Sequence, residues 1–152
     1  MKVRPLELDD SAALVPLLDQ LGYPSSEQQI RDRLEFLLPD TAVGCWVAES
    51  DDGIAGLITG QLSRGIEVDG PVARLTALVV DEGARGQGTA RLLTAAFEDW
   101  ARSHGAAKAG LSSNTSRADA HAAYRRLGWT NTALSFTKDL SVSAAGPRGA
   151  GG

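Results

Sequence analysis

The sequence predicts an α+β fold in a single domain. Short apolar runs with strand-like alternation recur along the chain, and segments with helical spacing of apolar residues lie between them. The size agrees, because 152 residues with 43% hydrophobic content suit one buried core. The chain contains no internal repeats. We therefore expect strands and helices to share one core.

The first forty residues predict a strand followed by two helices. The run "KVRPLEL" has strand-like alternation, and Asp9 or Asp10 then caps a helix that carries four leucines. Gly22 ends this helix. Ser26, followed three residues later by Gln29, forms a capping-box pattern that predicts the start of the second helix.

The next segment predicts a hairpin and a buried strand. The runs "AVGCWVAES" and "IAGLITGQLS" flank the turn "DDG", whose Asp-Gly pair tolerates a positive φ. A loop with Glu67 and Asp69 follows. The strand from Val72 to Val80 becomes apolar on both faces toward its end, which is typical of a strand in the sheet interior.

The second half predicts helix, strand, helix and strand. Helical spacing runs from Leu92 to Trp100, and Gly105 suits the C-terminal cap. The strand "AKAGLSS" comes next, and a helix capped by Ser116 and Asp119 runs to Gly128. The run "WTNTALSFTKDL" predicts the final strand. We expect a domain over 1–140 and a disordered tail over 141–152, since the tail has no apolar periodicity.

Charge and cysteine content exclude several classes of partner. The net charge of -4 and the pI near 5.1 argue against nucleic acid, which attracts basic surfaces. Cys45 is the single cysteine, so an intrachain disulfide is impossible, and we expect a buried, inert thiol and no metal site. The chain shows no signal peptide and no run of about 20 apolar residues. We expect a cytoplasmic protein with no membrane partner.

A glycine-rich turn joins the buried strand to the third helix. In "ARGQGTARLL", Gly86 and Gly88 would let a phosphate approach the free amides of a helix N-terminus, and Arg85 and Arg91 would add charged hydrogen bonds. A dinucleotide fingerprint would need glycine at position 91, and a triphosphate loop would need Lys and Ser or Thr after Gly88. A tight turn without a ligand is the alternative.

The turn and a downstream segment resemble the GNAT superfamily of acyl-coenzyme A-dependent N-acetyltransferases. "RGQGTA" satisfies the family pattern of Arg or Gln, two residues, Gly, one residue, then Gly or Ala. "NTSRADAHAAYRRLGW" is similar to its second signature. The resemblance implies a mostly antiparallel sheet flanked by about four helices, with parallel strands 4 and 5 splayed apart around acetyl-CoA.

The resemblance also implies which residues hold the cofactor. The backbone of Leu78, Val79 and Val80 would pair with the pantetheine arm. The backbone amides of the turn would hold the pyrophosphate; they belong to Arg85, Gly86, Gln87, Gly88, Thr89 and Ala90. Either Asn114 or Arg117 would contact the pantetheine or phosphate groups, and the residues do not decide between them.

Tyr124 is the predicted catalytic residue, because the resemblance places it beside the thioester sulfur and a phenol suits the protonation of a departing thiolate. The general base stays open. Family members often carry a glutamate on the central strand, where this chain has Arg74 and Thr76. Glu67, Asp69, His121 or solvent would then take the proton of the amine.

We therefore expect an N-acetyltransferase that moves acetyl from acetyl-CoA to a primary amine of a small molecule, such as a polyamine or aminoglycoside-like compound. Direct attack in a ternary complex gains from orientation. A protein lysine or N-terminal amine is an alternative acceptor. A non-catalytic acyl-CoA sensor is the alternative function, and the resemblance also suggests a homodimer.

Overall fold

A computed structural model describes residues 1–112, 118–132 and 136–141. The chain divides into two compact units, 1–114 and 115–152. The first unit contains strands β1 (Lys2–Pro5), β2 (Val43–Ser50), β3 (Gly53–Ser63), β4 (Val72–Val80) and β5 (Ala109–Leu111). Its helices are α1 (Ser11–Leu21), α2 (Glu27–Leu37) and α3 (Thr89–Ser103). The described part of the second unit contains α4 (Ala118–Arg126).

The strands form one sheet in the order β1-β2-β3-β4-β5. Neighbours from β1 to β4 are antiparallel, and β4 and β5 are parallel. This arrangement confirms the predicted α+β fold with a mixed, mostly antiparallel sheet. The predicted hairpin is confirmed as β2 and β3.

Helices cover both faces of the sheet. Leu57 packs in the core with Leu14 and Leu17 of α1. Successive strand residues point to opposite faces, and a Cβ at Gly60 would strike the Phe97 ring of α3. Thus α1 and α2 lie on the Leu57 face, and α3 lies on the Gly60 face. The absence of a side chain at Gly60 allows α3 to approach the sheet closely.

Most of the predicted helix ends are confirmed. Ser26 and Gln29 form the capping box of α2, with Gln29 N donating to Ser26 Oγ at 3.1 Å and Ser26 N to Gln29 Oε1 at 2.9 Å. Gly22 and Gly105 follow α1 and α3 with φ of 100° and 85°. Such left-handed residues end helices because glycine adopts them without steric cost.

The predicted capping role of Asp9 or Asp10 in α1 is wrong. A 3-10 turn over Leu8–Asp10 leads directly into α1, so the helical backbone begins earlier than the leucine spacing suggested. Asp10 instead accepts a hydrogen bond from Glu7 N at 2.8 Å and pairs with Arg4. This turn also shortens the first strand, which ends at Pro5.

The second unit confirms the predicted end of α4. Gly128 has φ of 91°, Gly128 N donates to Arg125 O, and Trp129 N donates to Tyr124 O, both at 3.0 Å. These two bonds form a Schellman motif. The predicted cap at Ser116 lies outside the described residues.

The predicted final strand is wrong for its described residues, 129–132 and 136–140, because none of them is in a strand. Alternation of apolar and polar residues does not by itself form a strand, because a strand needs a neighbouring strand to satisfy its backbone hydrogen bonds. The tail from residue 142 onward lies outside the described part of the chain. The domain boundary at residue 140 stays a prediction.

Candidate functional site

Within the described residues, strand β4 pairs with its parallel neighbour over only the first part of its length. The β4–β5 ladder contains three pairs and ends at Leu75 with Leu111, whereas β4 continues to Val80. On its other side β4 is paired with β3 from Val72 to Val80 except at Thr76, and the paired residues include Leu78 and Val79. The described residues therefore leave one edge of Leu78–Val80 without a strand partner. An extended ligand can pair with such an edge as an added strand.

A β-bulge coincides with this separation. In the β3–β4 register Thr59 pairs with Ala77 and Gly60 pairs with Leu75, so Thr76 is the extra residue. A bulge increases local twist and bends the strand that carries it. The bulge lies immediately after Leu75, the last described residue of β4 that pairs with β5. The bulge thus gives a physical reason for β4 to leave β5 at this point.

The turn after β4 is held by hydrogen bonds at its entry. Asp81 N donates to Ala55 O at 2.8 Å, and Asp81 Oδ2 accepts from Gly83 N at 3.0 Å. The side chain of Gln20 in α1 also makes two hydrogen bonds here: it donates to the Asp81 carboxylate and accepts from Glu82 N. These bonds fix the backbone where the chain leaves the sheet toward α3.

The turn leaves a group of backbone amides free. Gly86 and Gly88 have φ of 79° and 78°, and a Cβ at either position would meet no atom within 4 Å. Gly88 is the N-cap of α3, a helix of 15 residues, and offers no side-chain cap. No backbone N–H from Gly86 to Arg91 donates to an acceptor among the described residues. The open space and the free donors fit an anion such as a pyrophosphate.

The side chains of the turn add positive charge. Arg85, Gln87 and Arg91 are exposed, and neither arginine forms an ion pair within the described ranges. Both guanidinium groups are therefore available to an anion at the helix N-terminus. Thr89 is 2% exposed, and its buried Oγ1 has no hydrogen-bond partner in the part of the chain that the structure describes.

The predicted catalytic tyrosine lies in the second unit. Tyr124 and His121 are on α4, and both side chains are half-buried. The Schellman motif places Tyr124 in the last turn of α4, since its carbonyl accepts the bond from Trp129. Asn114 and Arg117, the two predicted contacts to the cofactor, lie outside the described residues.

The acidic loop lies at the start of β4. Glu67 and Asp69 are exposed and sit between β3 and β4, and neither forms an ion pair in the described part of the chain. Thr76, the bulge residue, lies four residues after Val72, which corresponds to about 13 Å along the strand. Glu67 and Asp69 are therefore remote from the bulge along β4.

Cys45 is buried, and burial raises the pKa of its thiol to about 11. The predicted burial of Cys45 is confirmed, and because the thiolate is the reactive form, the raised pKa agrees with the expectation of an inert thiol. Within the residues that the structure describes, no group of three or more His, Cys, Asp or Glu side chains is placed to hold a metal ion. No helix in the described ranges is long and apolar enough to cross a membrane.

Two features of the site were missed in the sequence. Gln20 reaches Asp81 from 61 residues away, and no local pattern marks such a contact. The bulge at Thr76 depends on the register with β3, which alternation does not reveal. Arg74, just before the bulge, donates from Nη2 to Ser112 Oγ at 3.1 Å.

Comparison with known proteins gives matches over most of the chain. The family model described as "Acetyltransferase (GNAT) family" matches residues 12–129. The aminoalkylphosphonate N-acetyltransferase of Salmonella typhimurium (strain LT2) is 32% identical over 124 residues, which cover 82% of this chain and 78% of that protein.

Solved structures share the fold. A GNAT family acetyltransferase from Staphylococcus aureus subsp. aureus USA300_TCH1516 matches with a TM-score of 0.77 at 22% identity, covering 91% of this chain and 98% of that one. The aminoglycoside N-acetyltransferase AAC(6')-Iy in complex with CoA matches with a TM-score of 0.80 at 18% identity, covering 91% and 94%.

Proposed function

Because the chain belongs to the GNAT acetyltransferase family and takes acetyl-CoA as its co-substrate, we propose that it acetylates a primary amine of a small molecule by direct attack in a ternary complex. The observation that carries the proposal is the end of the β4–β5 pairing at Leu75 among the described residues, with the remainder of β4 running on to Val80 and then into the open glycine turn. An unpaired strand edge that leads into an anion-binding helix N-terminus suits a ligand with an extended arm and a pyrophosphate.

The backbone performs most of the binding in this proposal. The free edge of Leu78–Val80 pairs with the pantetheine arm, and the amides from Gly86 to Arg91 hold the pyrophosphate. Arg85 and Arg91 add charge-assisted hydrogen bonds to the phosphates. When bound, acetyl-CoA supplies a thioester whose acyl carbon accepts an amine and whose sulfur leaves as a thiolate.

The chemical step needs three further contributions. Backbone N–H groups near Val79 and Val80 polarise the acyl carbonyl as negative charge develops on its oxygen. Tyr124 donates a proton to the leaving sulfur. An alkyl ammonium must lose a proton before attack, and this proton passes to His121, to solvent, or through a water to Glu67 or Asp69.

The acceptor is a small amine in this proposal. The Salmonella relative is named for an aminoalkylphosphonate and AAC(6')-Iy for an aminoglycoside, and both names denote small molecules with amino groups. A protein lysine or N-terminal amine is the alternative acceptor, and a polyamine stays within the proposed class. We also propose that the protein works in the cytoplasm and that a homodimer is its assembled form.

Release of free thiol tests the proposed function. The protein would be given acetyl-CoA with a panel of small amines and, separately, a peptide with one lysine and a free N-terminus. We expect at least one small amine to release thiol faster than acetyl-CoA is hydrolysed alone. We also expect Gly88→Trp to lose cofactor binding. Binding without consumption of acetyl-CoA would favour the sensor, and release with the peptide alone would favour a protein acceptor.

A further inference from the structure

We propose that Arg74 binds an anionic group of the acceptor, so that the substrate is an amine that also carries a phosphonate, phosphate or carboxylate. The inference rests on the proposed acetyl transfer and adds a class of substrate and a residue that selects it. Four observations carry it: the position of Arg74 on β4, the face on which it lies, its polar neighbours, and its charge.

Arg74 stands where β4 and β5 separate. It pairs with Gly110 of β5, and the following pair, Leu75 with Leu111, is the last of the ladder. Its Nη2 donates to Ser112 Oγ at 3.1 Å. Because Ser112 lies one residue beyond the last pair, the guanidinium reaches the point where the two strands part. An acyl group held along the free edge of β4 would have the acceptor approach it near this point.

Polar side chains surround Arg74 on one face of the sheet. Arg74 pairs with Gln61, and Gln61 shares its face with Thr59 two residues away. The Thr59 and Thr76 hydroxyl oxygens lie 2.7 Å apart. We call Thr59, Gln61, Arg74 and Thr76 the acceptor patch.

The acceptor patch is not covered by the apolar packing of the same face. The core beneath α1 and α2 includes the Leu57–Val79 pair, whereas Gln61, Arg74 and Thr76 are exposed and Thr59 is half-buried. Hydroxyl and amide groups in such an open position can hydrogen-bond the oxygens of a small anion. The patch thus offers a charged donor together with uncharged polar groups.

The charge of Arg74 is uncompensated within the described ranges. It takes part in no ion pair there, and its recorded hydrogen bond goes to an uncharged hydroxyl. A guanidinium has five donors in a planar fork that matches carboxylate and phosphate oxygens. The same cation repels a second ammonium. This patch therefore favours an anionic amine over a polyamine or an aminoglycoside.

Paired amines that differ at one group test the inference. 2-Aminoethylphosphonate and β-alanine carry an anion, ethanolamine has a hydroxyl at that place, and putrescine has a second ammonium. We expect the wild type to have a higher kcat/KM for an anionic amine than for ethanolamine or putrescine. Comparison of 2-aminoethylphosphonate with β-alanine shows whether the anion is a phosphonate or a carboxylate. Arg74→Met should lower kcat/KM for the anionic amine about 10- to 100-fold, chiefly by raising KM. The kcat/KM for ethanolamine should stay within about 2-fold of the wild-type value.

Two further variants make the result specific. Arg74→Glu should reverse the preference toward putrescine, and the matched control Arg102→Met, at the exposed end of α3, should change no kcat/KM. Thermal unfolding checks that each variant is folded. Equal losses for ethanolamine and the anionic amines, or no loss in Arg74→Met, would overturn the inference.

A binding measurement separates this inference from the proposed function. Calorimetric titration of 2-aminoethylphosphonate and β-alanine into the protein, with and without CoA, requires no turnover. If no amine releases thiol yet an anionic amine binds and Arg74→Met abolishes the binding, acetyl transfer fails and the anion site stands. If thiol is released from neutral and cationic amines only, transfer stands and the anion site is wrong.

Discussion

The side chain of Gln20 makes two hydrogen bonds at the end of β4, and one of them joins it to Asp81. Gln20 Nε2 donates to Asp81 Oδ1 at 2.8 Å, and Gln20 Oε1 accepts from Glu82 N at 3.0 Å. The Asp81 carboxylate also accepts a hydrogen bond from Gly83 N, and the backbone N–H of Asp81 donates to Ala55 O. Helix α1 thus fixes the entry to the glycine turn before a ligand arrives, and a pre-organised turn binds with less loss of entropy.

Gln20→Ala should therefore weaken acetyl-CoA binding. We expect the dissociation constant to rise about 3- to 10-fold, because the turn then has to be ordered on binding. Calorimetry measures the constant. The matched control is Gln28→Ala, since Gln28 donates to Asp32 at the same distance of 2.8 Å within α2. An equal effect of both variants would contradict a role for Gln20 in the turn.

Gly88 and Gly105 provide a second matched pair, at opposite ends of α3. Their φ values are 78° and 85°, and a Cβ at either position would meet no atom within 4 Å. Alanine at either site should cost a similar free energy of unfolding, about 1 to 2 kcal/mol, because both residues are left-handed.

Binding should separate these two variants. Gly88→Ala puts a methyl group among the free amides and should weaken acetyl-CoA binding about 10-fold or more, whereas Gly105→Ala should leave it unchanged. Urea unfolding and calorimetry give the two quantities. Unchanged binding in Gly88→Ala would show that the cofactor does not use this turn.

Tyr124→Phe tests the proposed proton donor. Loss of the hydroxyl should lower kcat about 10²- to 10⁴-fold with little change in the dissociation constant of acetyl-CoA, because the phenol acts on the departing sulfur. The chain has two tyrosines, and Tyr23, 67% exposed, is the control. Single-turnover thiol release and calorimetry supply the measurements. A kcat equal to that of the wild type would remove Tyr124 from the mechanism.

Local patterns predicted the fold where a feature is decided by neighbouring residues. The capping box at Ser26 and the left-handed glycine at Gly105 each depend on residues within one helical turn. Asp9 or Asp10 was predicted to cap α1 because the leucine spacing did not show the preceding 3-10 turn. The final strand was wrong in its described residues because alternation does not supply a partner.

The site was only partly predictable for the same reason. The glycine turn can be recognised from six consecutive residues, and Gly86 and Gly88 have the positive φ values that an open turn needs. The bulge at Thr76 and the contact of Arg74 with Ser112 depend on strands that are distant in sequence. Such contacts follow from register, which a single strand does not specify.

An ion-pair cluster joins β1, β2 and the start of α1, and it predicts how stability depends on pH. Arg4 Nη2 lies 2.9 Å from Asp10 Oδ1 and 3.0 Å from Glu49 Oε2. The hydrogen bond from Arg4 lowers the pKa of the Asp10 carboxyl, whose side chain is 12% exposed. A carboxyl whose pKa is lower in the folded state adds stability above its unfolded pKa, about 4, and loses that contribution as the pH falls through its folded pKa.

Asp10→Asn should therefore destabilise the protein in a pH-dependent manner. We expect a loss of about 1 to 3 kcal/mol in the free energy of unfolding at pH 7, because a charged hydrogen bond is removed. The difference from the wild type should shrink as the pH falls below about 4, because the unfolded chain then takes up the proton first, and it should vanish once the pH is below the lowered pKa of the folded carboxyl. Urea unfolding at pH 7 and pH 3 measures both values.

Asp9→Asn is the control for this prediction. Asp9 is 93% exposed and lies 3.8 Å from Arg31, so its loss should change the free energy of unfolding by less than about 0.5 kcal/mol at either pH. A loss in Asp10→Asn that is the same at pH 7 and pH 3 would mean that packing of the side chain, and not its charge, stabilises the start of α1. A loss that shrinks with acid would identify the charge of Asp10, which Arg4 and the Glu7 amide both bind, as the source.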